Sequence, residues 1–202
     1  MLKVGLTGSI AVGKSFVLSV LGELGCRVLD ADATAREVVE PGSAGLTAVV
    51  EAFGSGVLTP SGSLDRTKLG ALVFTDEQKR LRLNSILHPF IISAQDRQLL
   101  EWETEDPDGI AVVDAALMIE SGGYRRFDKL IVVHCGPEVQ LQRLMARDGF
   151  GGEEAEKRIA AQMSQAEKRK YADFLIDTSD GFEEARLQTE RIYAELKRIM
   201  LT

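Results

Sequence analysis

The chain has 202 residues, 45% of them hydrophobic and 27% charged, which is the composition of a folded globular protein and excludes extended disorder. Asp and Glu outnumber Lys and Arg 31 to 24, a formal net charge of −7. Such a chain lacks the positive field that general nucleic-acid or anionic-membrane binding requires, so an anionic ligand has to be held by local donors. At roughly 150 residues per domain the length fits one compact core with an insertion. The longest uncharged stretch, 52–64, is broken by Gly and Pro, well short of the roughly 20 apolar residues of a spanning helix. Two cysteines, Cys26 and Cys135, make neither a disulfide framework nor a zinc cluster, and a reduced, cytoplasmic location is expected.

Taken in chain order, short apolar runs at 2–7, 27–30, 110–114, 129–135 and 174–177 are expected strands. Their lack of polar alternation predicts burial on both faces, as in a parallel sheet. Residues 15–24 and 137–147 are expected helices, the second with Pro137 in its first turn. Between residues 32 and 109 no buried strand is apparent. Helical patterns recur there at 44–53, 66–74, 77–87 and 89–102, which predicts a helical insertion rather than a very long loop. Residues 149–171 are polar and helical, and 182–200 place Ala185, Ile192, Leu196 and Ile199 near one face. Alternating strands and helices imply an α/β fold: a five-stranded parallel sheet flanked by helices. The expected division is a core of 1–33, 103–148 and 171–202, an insertion of 34–102 and a lid of 149–170.

Gly8-Ser9-Ile10-Ala11-Val12-Gly13-Lys14-Ser15 matches the phosphate-binding pattern G-x-x-x-x-G-K-[ST] between an apolar run and an amphipathic helix. Gly8 and Gly13 permit a backbone that turns successive N–H groups onto phosphate oxygens. Lys14 is expected to reach the β- and γ-phosphates and Ser15 to offer its hydroxyl to Mg²⁺, at the positive end of the following helix. The expected nucleotide site comprises Gly8, Ser9, Ile10, Ala11, Val12, Gly13, Lys14, Ser15 and Phe16.

The fate of the γ-phosphate is narrowed by what the chain lacks. Asn84, the only asparagine, precedes Ser85, so no Asn-Lys-x-Asp guanine reader exists. Asp-x-x-Gly matches at Asp106 and Asp148 follow no apolar strand, and Asp114 is followed by Ala115 rather than a second acid. Transfer to another molecule remains. Asp30-Ala31-Asp32 lies at the carboxyl end of the second expected strand, where α/β sheets bind ligands. One of these carboxylates can accept the proton of an attacking hydroxyl while the other caps the next helix, Asp32 being the expected base and Asp30 the expected cap. Arg36 can pair with Asp32 or hold an acceptor phosphate. Arg143 and Arg147, four residues apart, and Arg158 beyond them can fold over ATP as part of a lid or remain solvated. His88 can cap a helix beginning at Pro89 or contact a phosphate. Asp114 can orient Mg²⁺ through water or serve as a cap, with Glu120 a weaker candidate for the ion. The insertion suggests a large acceptor.

These residues resemble the dephospho-CoA kinase family nearly end to end. The likeness runs through Leu6-Thr7-Gly8 into Gly13-Lys14-Ser15, Asp30-Ala31-Asp32 with Ala35-Arg36, and Leu64-Asp65-Arg66. It continues through His88-Pro89-Phe90-Ile91, Gln140, Arg143, Arg147-Asp148, Gln162, and Ala172-Asp173-Phe174 with Ile176-Asp177. The resemblance implies ATP-dependent phosphorylation of the ribose 3′-hydroxyl of dephospho-CoA. It places the catalytic carboxylate at Asp32, the phosphate lysine at Lys14, and a lid arginine at Arg143 or Arg147. Arg36 and His88 fall near the CoA side, with dephospho-CoA and ATP as partners of a monomer or weak oligomer that engages neither nucleic acid nor membrane. The chain departs from the family pattern in a loop interior with few glycines, in Phe16, and in the stretch from Ala115 to Glu120.

Overall fold

The computed structural model describes residues 1–74 and 76–200, and the chain divides into two compact units, residues 1–29 with 102–202 and residues 30–101.

The first unit is built on a five-stranded sheet ordered β2-β3-β1-β4-β5, from β1 (Leu2–Gly8), β2 (Arg27–Asp30), β3 (Ile110–Asp114), β4 (Lys129–His134) and β5 (Phe174–Asp177). β1 pairs in parallel with β3, Leu6 opposite Asp114, and with β4, Gly8 opposite Val133. β4 pairs in parallel with β5. The apolar runs of β1, β3 and β4 are buried almost throughout, as a sheet covered on both faces requires. The edge strands differ from the expectation of full burial. β2 alternates between half-buried and exposed positions and β5 buries only Ile176 fully, because an edge strand has a neighbour on one side only.

Helices α1 (Lys14–Glu23) and, toward the C-terminus, a long helix over Phe182–Met200 pack Val17, Leu21, Ala185, Ile192 and Leu196 against Val4, Leu6, Val112, Ile131 and Ile176. Truncating a buried Leu or Ile here to Ala costs about 2–5 kcal/mol. Ile199, expected on this face, is 36% exposed, and fully buried Thr189 lies on the inner face instead, its hydroxyl donating to the Ala185 carbonyl at 2.7 Å. Cys26 and Cys135 are buried free thiols, and burial pushes Cys26 up to about 12 despite the nearby Lys197.

The strand order determines where a ligand can enter. From β1 the chain leaves toward β2 on one side of the sheet, and from the adjacent β3 it leaves toward β4 on the other. The carboxyl ends of β1 and β3 thus flank a switch point, where diverging loops open a crevice.

The second unit begins at the end of β2 and holds α2 (Ala31–Glu37), α3 (Ala44–Phe53), α4 (Arg66–Phe74) and most of α5 (Glu77–Glu105). Val39, Leu46, Val49, Val57 and Leu69 form its core. Ser43 caps α3 by accepting from the Leu46 amide at 3.1 Å. Residues 77–87 and 89–102, expected as separate helices, belong to the single helix α5, with Pro89 inside it. Pro89 removes one donor, and the carbonyl it leaves is that of Ser85. Both residues are exposed, so water can satisfy that carbonyl and the break expected at His88 does not occur.

After β4 come α6 (Pro137–Asp148), with Pro137 in its first turn, α7 (Gly152–Ala160) and α8 (Gln165–Arg169), followed after β5 by α9, the helix Phe182–Met200. Ser164 accepts from the Glu167 amide at 3.2 Å and so starts α8.

Proline inside an exposed helix costs up to about 3 kcal/mol relative to alanine. Pro89→Ala is therefore expected to raise unfolding stability by about 1–3 kcal/mol, read from the midpoint of urea denaturation at unchanged slope.

Candidate active site

The turn from β1 to α1 is shaped by steric exclusion. A Cβ on Gly8 would lie 2.6 Å from the Val133 carbonyl oxygen, so only glycine lets the end of β1 approach β4 this closely. Gly13 has φ +86° immediately before α1, in the left-handed region, and α1 has no side-chain cap. The first N–H groups of any helix lack intrahelical partners, and here they end a chain turn whose backbone already curls toward them. Ala11, between the two glycines, is the single non-glycine residue with positive φ among those described, at 60°.

Side chains from several elements fix this turn. The Thr178 hydroxyl donates to the Val12 carbonyl at 2.8 Å. Arg143, on α6, donates to that same hydroxyl at 2.8 Å and to the Thr178 carbonyl at 2.7 Å. The Ile10 amide donates to Gln162 Oε1 and Gln140 Nε2 donates to the Ile10 carbonyl, both at 2.8 Å. The buried Ser9 hydroxyl donates to the Met163 carbonyl at 3.3 Å. Phe16 turns its ring onto Phe182, centroids 4.6 Å apart. Ser15 is exposed in the first turn of α1.

Lys14 and Asp114 come together: the ammonium donates to the Asp114 carboxylate, the two side chains only 17% and 7% exposed. The register that sets Asp114 opposite Leu6 brings the end of β3 beside the turn. A lysine so little exposed is held extended by an opposite charge rather than free to fold out into water.

Beside the crevice, burial lowers the basicity of His134 at the end of β4, although Asp177, 3.7 Å away, acts in the opposite direction. Burial alone would raise the Asp177 carboxyl, but bonds from the Ser179 hydroxyl and amide, with His134 and Arg169 nearby, outweigh it and hold the carboxyl below its ordinary value.

The expected acceptor residues belong to the second unit. Asp30 caps α2, its carboxylate accepting from the Asp32 amide at 2.8 Å. That assigns the capping role to Asp30 and leaves Asp32, exposed in the first turn, without it. Arg36 is exposed on α2, and its carbonyl accepts from Arg66 at 3.5 Å. His88 is exposed in the middle of α5, not at a helix start.

The remaining arginines separate clearly. Arg143 is bonded to the segment that holds the phosphate turn. Arg147 is exposed and grips its neighbour Asp148 through two bonds of 2.7 and 2.8 Å, while Arg158 pairs with Glu154 at 3.0 Å over the ring of Phe150. Thr178, Gln165 and Lys168 were not singled out by sequence reasoning. Lys168 lies in the run Glu167-Lys168-Arg169-Lys170, which reads as a solvated face.

A lysine-bearing phosphate turn at the switch point of a parallel sheet, with an arginine bonded beside it and helical excursions after β2 and α6, defines the P-loop kinases, which move phosphoryl groups between bound molecules. The comparisons narrow the class. A family model described as dephospho-CoA kinase matches residues 2–184. The chain is 46% identical over 189 residues to a dephospho-CoA kinase of Geobacillus kaustophilus, covering 93% of this chain and 92% of that one. It is 42% identical over 194 residues to one of Leifsonia xyli, covering 96% and 98%. The solved dephospho-CoA kinase of Campylobacter jejuni superposes with a TM-score of 0.74 at 28% identity, covering 97% of each chain. The chain belongs to the dephospho-CoA kinase family.

Two outcomes follow from this geometry. Ala11→Gly relieves a left-handed alanine that costs about 1–2 kcal/mol, partly offset by the unfolded-state entropy of glycine, so a gain of about 1 kcal/mol is expected in thermal unfolding. For His134, the unfolded chain takes up a proton near 6.5 while the folded chain resists it, so stability is lost as pH falls below that value. His134→Gln should flatten the fall in melting temperature between pH 7 and 5, and an unaltered slope would remove His134 as its source.

Proposed function

We propose that the chain transfers the γ-phosphoryl group of ATP to the ribose 3′-hydroxyl of dephospho-CoA, giving CoA and ADP in the last step of coenzyme A biosynthesis. The observation that carries this reading is the intact phosphate turn, with Lys14 held at its mouth, in a chain matched nearly end to end by the dephospho-CoA kinase family.

ATP binds with its phosphates against backbone amides of the turn 8–16 other than those of Ile10 and Phe16, which bond Gln162 and the Gly13 carbonyl, and donors fixed before the ligand arrives need no reorganisation during transfer. Lys14 exchanges part of its contact with Asp114 for phosphate oxygens as charge moves to the leaving group. Arg143, tied to the turn through Thr178, is the arginine best supported for neutralising charge from the lid side. Arg147, engaged with Asp148, is the weaker choice. Residues 149–170 form the lid and residues 34–102 the acceptor-binding insertion. In that insertion, Asp32 accepts the proton of the 3′-hydroxyl, and Arg36 and His88 face the acceptor. That Asp30 serves as the cap supports Asp32 in this role, since its carboxylate is not committed to the helix start.

Oxygen donors alone fit Mg²⁺, and the Ser15 hydroxyl with Asp114 supplies them. The ion would neutralise charge across the β- and γ-phosphates. The protein acts in the cytoplasm as a monomer or weak oligomer, without nucleic acid or membrane. The net charge of −7, which disfavours general binding to nucleic acid or anionic membrane, supports the absence of those partners.

Incubation with ATP, Mg²⁺ and dephospho-CoA should yield a product heavier by one phosphate. Turnover of a small sugar instead would reassign the acceptor. Asp32→Asn should lower kcat by about 10²–10⁴-fold with little change in ATP affinity, and an undiminished rate would remove Asp32 from the chemistry.

A further inference from the structure

Lys168 is the largest fully buried side chain among those described, and no step above uses it. Its ammonium donates to the Ala116 carbonyl at 2.6 Å and pairs with Glu120 at 2.9 Å. Ala116 also accepts from the Thr7 hydroxyl on β1 at 3.2 Å, and Ala115 extends the β1 pairing through its amide to the Leu6 carbonyl at 3.1 Å. With Met118 and Ile119 buried, this wall after β3 is anchored to the sheet. The other Glu120 contact points back toward the phosphate turn. The Met163 amide donates to Glu120 at 3.2 Å, and the Met163 carbonyl accepts from Ser9 at 3.3 Å.

These bonds close a circuit. It leaves β1 at Thr7, passes through Ala116, Lys168, Glu120 and Met163, and returns to the phosphate turn at Ser9. A second strand of bonds runs alongside: Ile10 to Gln162 and Gln140, Gln140 to Gln165 at 2.7 Å, and Gln165 to the Cys135 amide at 2.9 Å. Residues 162–168 thereby hold Ser9 and Ile10 through both backbone and side chain. We propose that Lys168 is a positioning residue for phosphoryl transfer, acting through the strap 162–168 to fix the first half of the phosphate turn, a role that rests on this turn being the ATP site. The ammonium is the sole cation in the circuit, and together with the Met163 amide on Glu120 it joins strap to wall by charge-assisted bonds, which are shorter and stronger than neutral ones.

Lys168→Met leaves Glu120 without its partner and can fail to fold, so the decisive variant is the double substitution Lys168→Met with Glu120→Gln. It removes both charges at similar volume and keeps an acceptor for the Met163 amide. The double variant is expected to melt near the wild type yet bind ATP about tenfold more weakly. Its kcat should be lower by 10- to 100-fold, as small misplacements of a catalytic cradle produce, at unchanged KM for dephospho-CoA. Wild-type ATP affinity and kcat in a variant of restored stability would overturn the proposal and make Lys168 a matter of folding alone. In the wild-type chain, ADP should slow hydrogen exchange across residues 162–168 together with 9–15, and protection confined to 9–15 would equally overturn it. ATP binding requires no acceptor. A wild-type chain that binds ATP but leaves dephospho-CoA unchanged would sink the acceptor assignment and leave this one standing.

Discussion

A phosphate cradle has to present backbone donors that point at a ligand and do not collapse onto one another, and much of the first unit is arranged to meet that constraint. The turn cannot hold itself open, because its own amides are the groups that must stay available. Support comes from outside: Thr178 on the Val12 carbonyl, glutamines on Ile10, Met163 on Ser9, and Val133 packed so close to Gly8 that no Cβ fits. Each of these contacts engages the turn away from the helix start. Position is thus fixed by the Ile10 and Val12 carbonyls, the Ile10 amide, the Ser9 side chain and the flank at Gly8, while the first turn of α1 is kept for the ligand.

The same unit places two lysines where water is scarce, and treats them differently. Lys14 is partly exposed and opposed by one carboxylate at a strand end, an arrangement a competing anion can disturb. Lys168 is wholly enclosed, with a carbonyl and a carboxylate as acceptors, and a charge so placed is costly to displace. Two ammonium groups in one fold therefore divide into one suited to changing partners and one suited to keeping them.

The fold was legible in the sequence because its strands are short, apolar and bounded by turn residues, and the phosphate turn sits where the first of them ends. Edge strands were less so: Val28 and Leu175 are apolar yet 38% and 40% exposed, and composition alone does not reveal that a strand lacks a neighbour. Pro89 reads as a boundary, since the local rule against proline inside helices is strong; the exposed face that carries Ser85 and Pro89 overrides it, and that face is seen only after folding. At the site, Lys14, Asp114, Arg143 and the two glycines were marked by motif or spacing. Thr178 and Lys168 were hidden because each acts through contacts more than forty positions away, Thr178 on Val12 and Lys168 on Glu120, and nothing in its immediate neighbours distinguishes it from a surface residue.

The acceptor proposed for this chain ends in a sulfhydryl, and its product is a carrier of one. A protein that encounters such molecules at every turnover risks being captured by them as a mixed disulfide whenever conditions become oxidising. Attack requires an ionised sulfur, and burial pushes Cys26 up to about 12, well above neutral pH, in a core where little of it is exposed. Cys135 is likewise buried, with burial raising it above its ordinary value. Both sulfurs are thereby held in the less reactive thiol form within the core, so the packing itself disfavours their capture by such reactants.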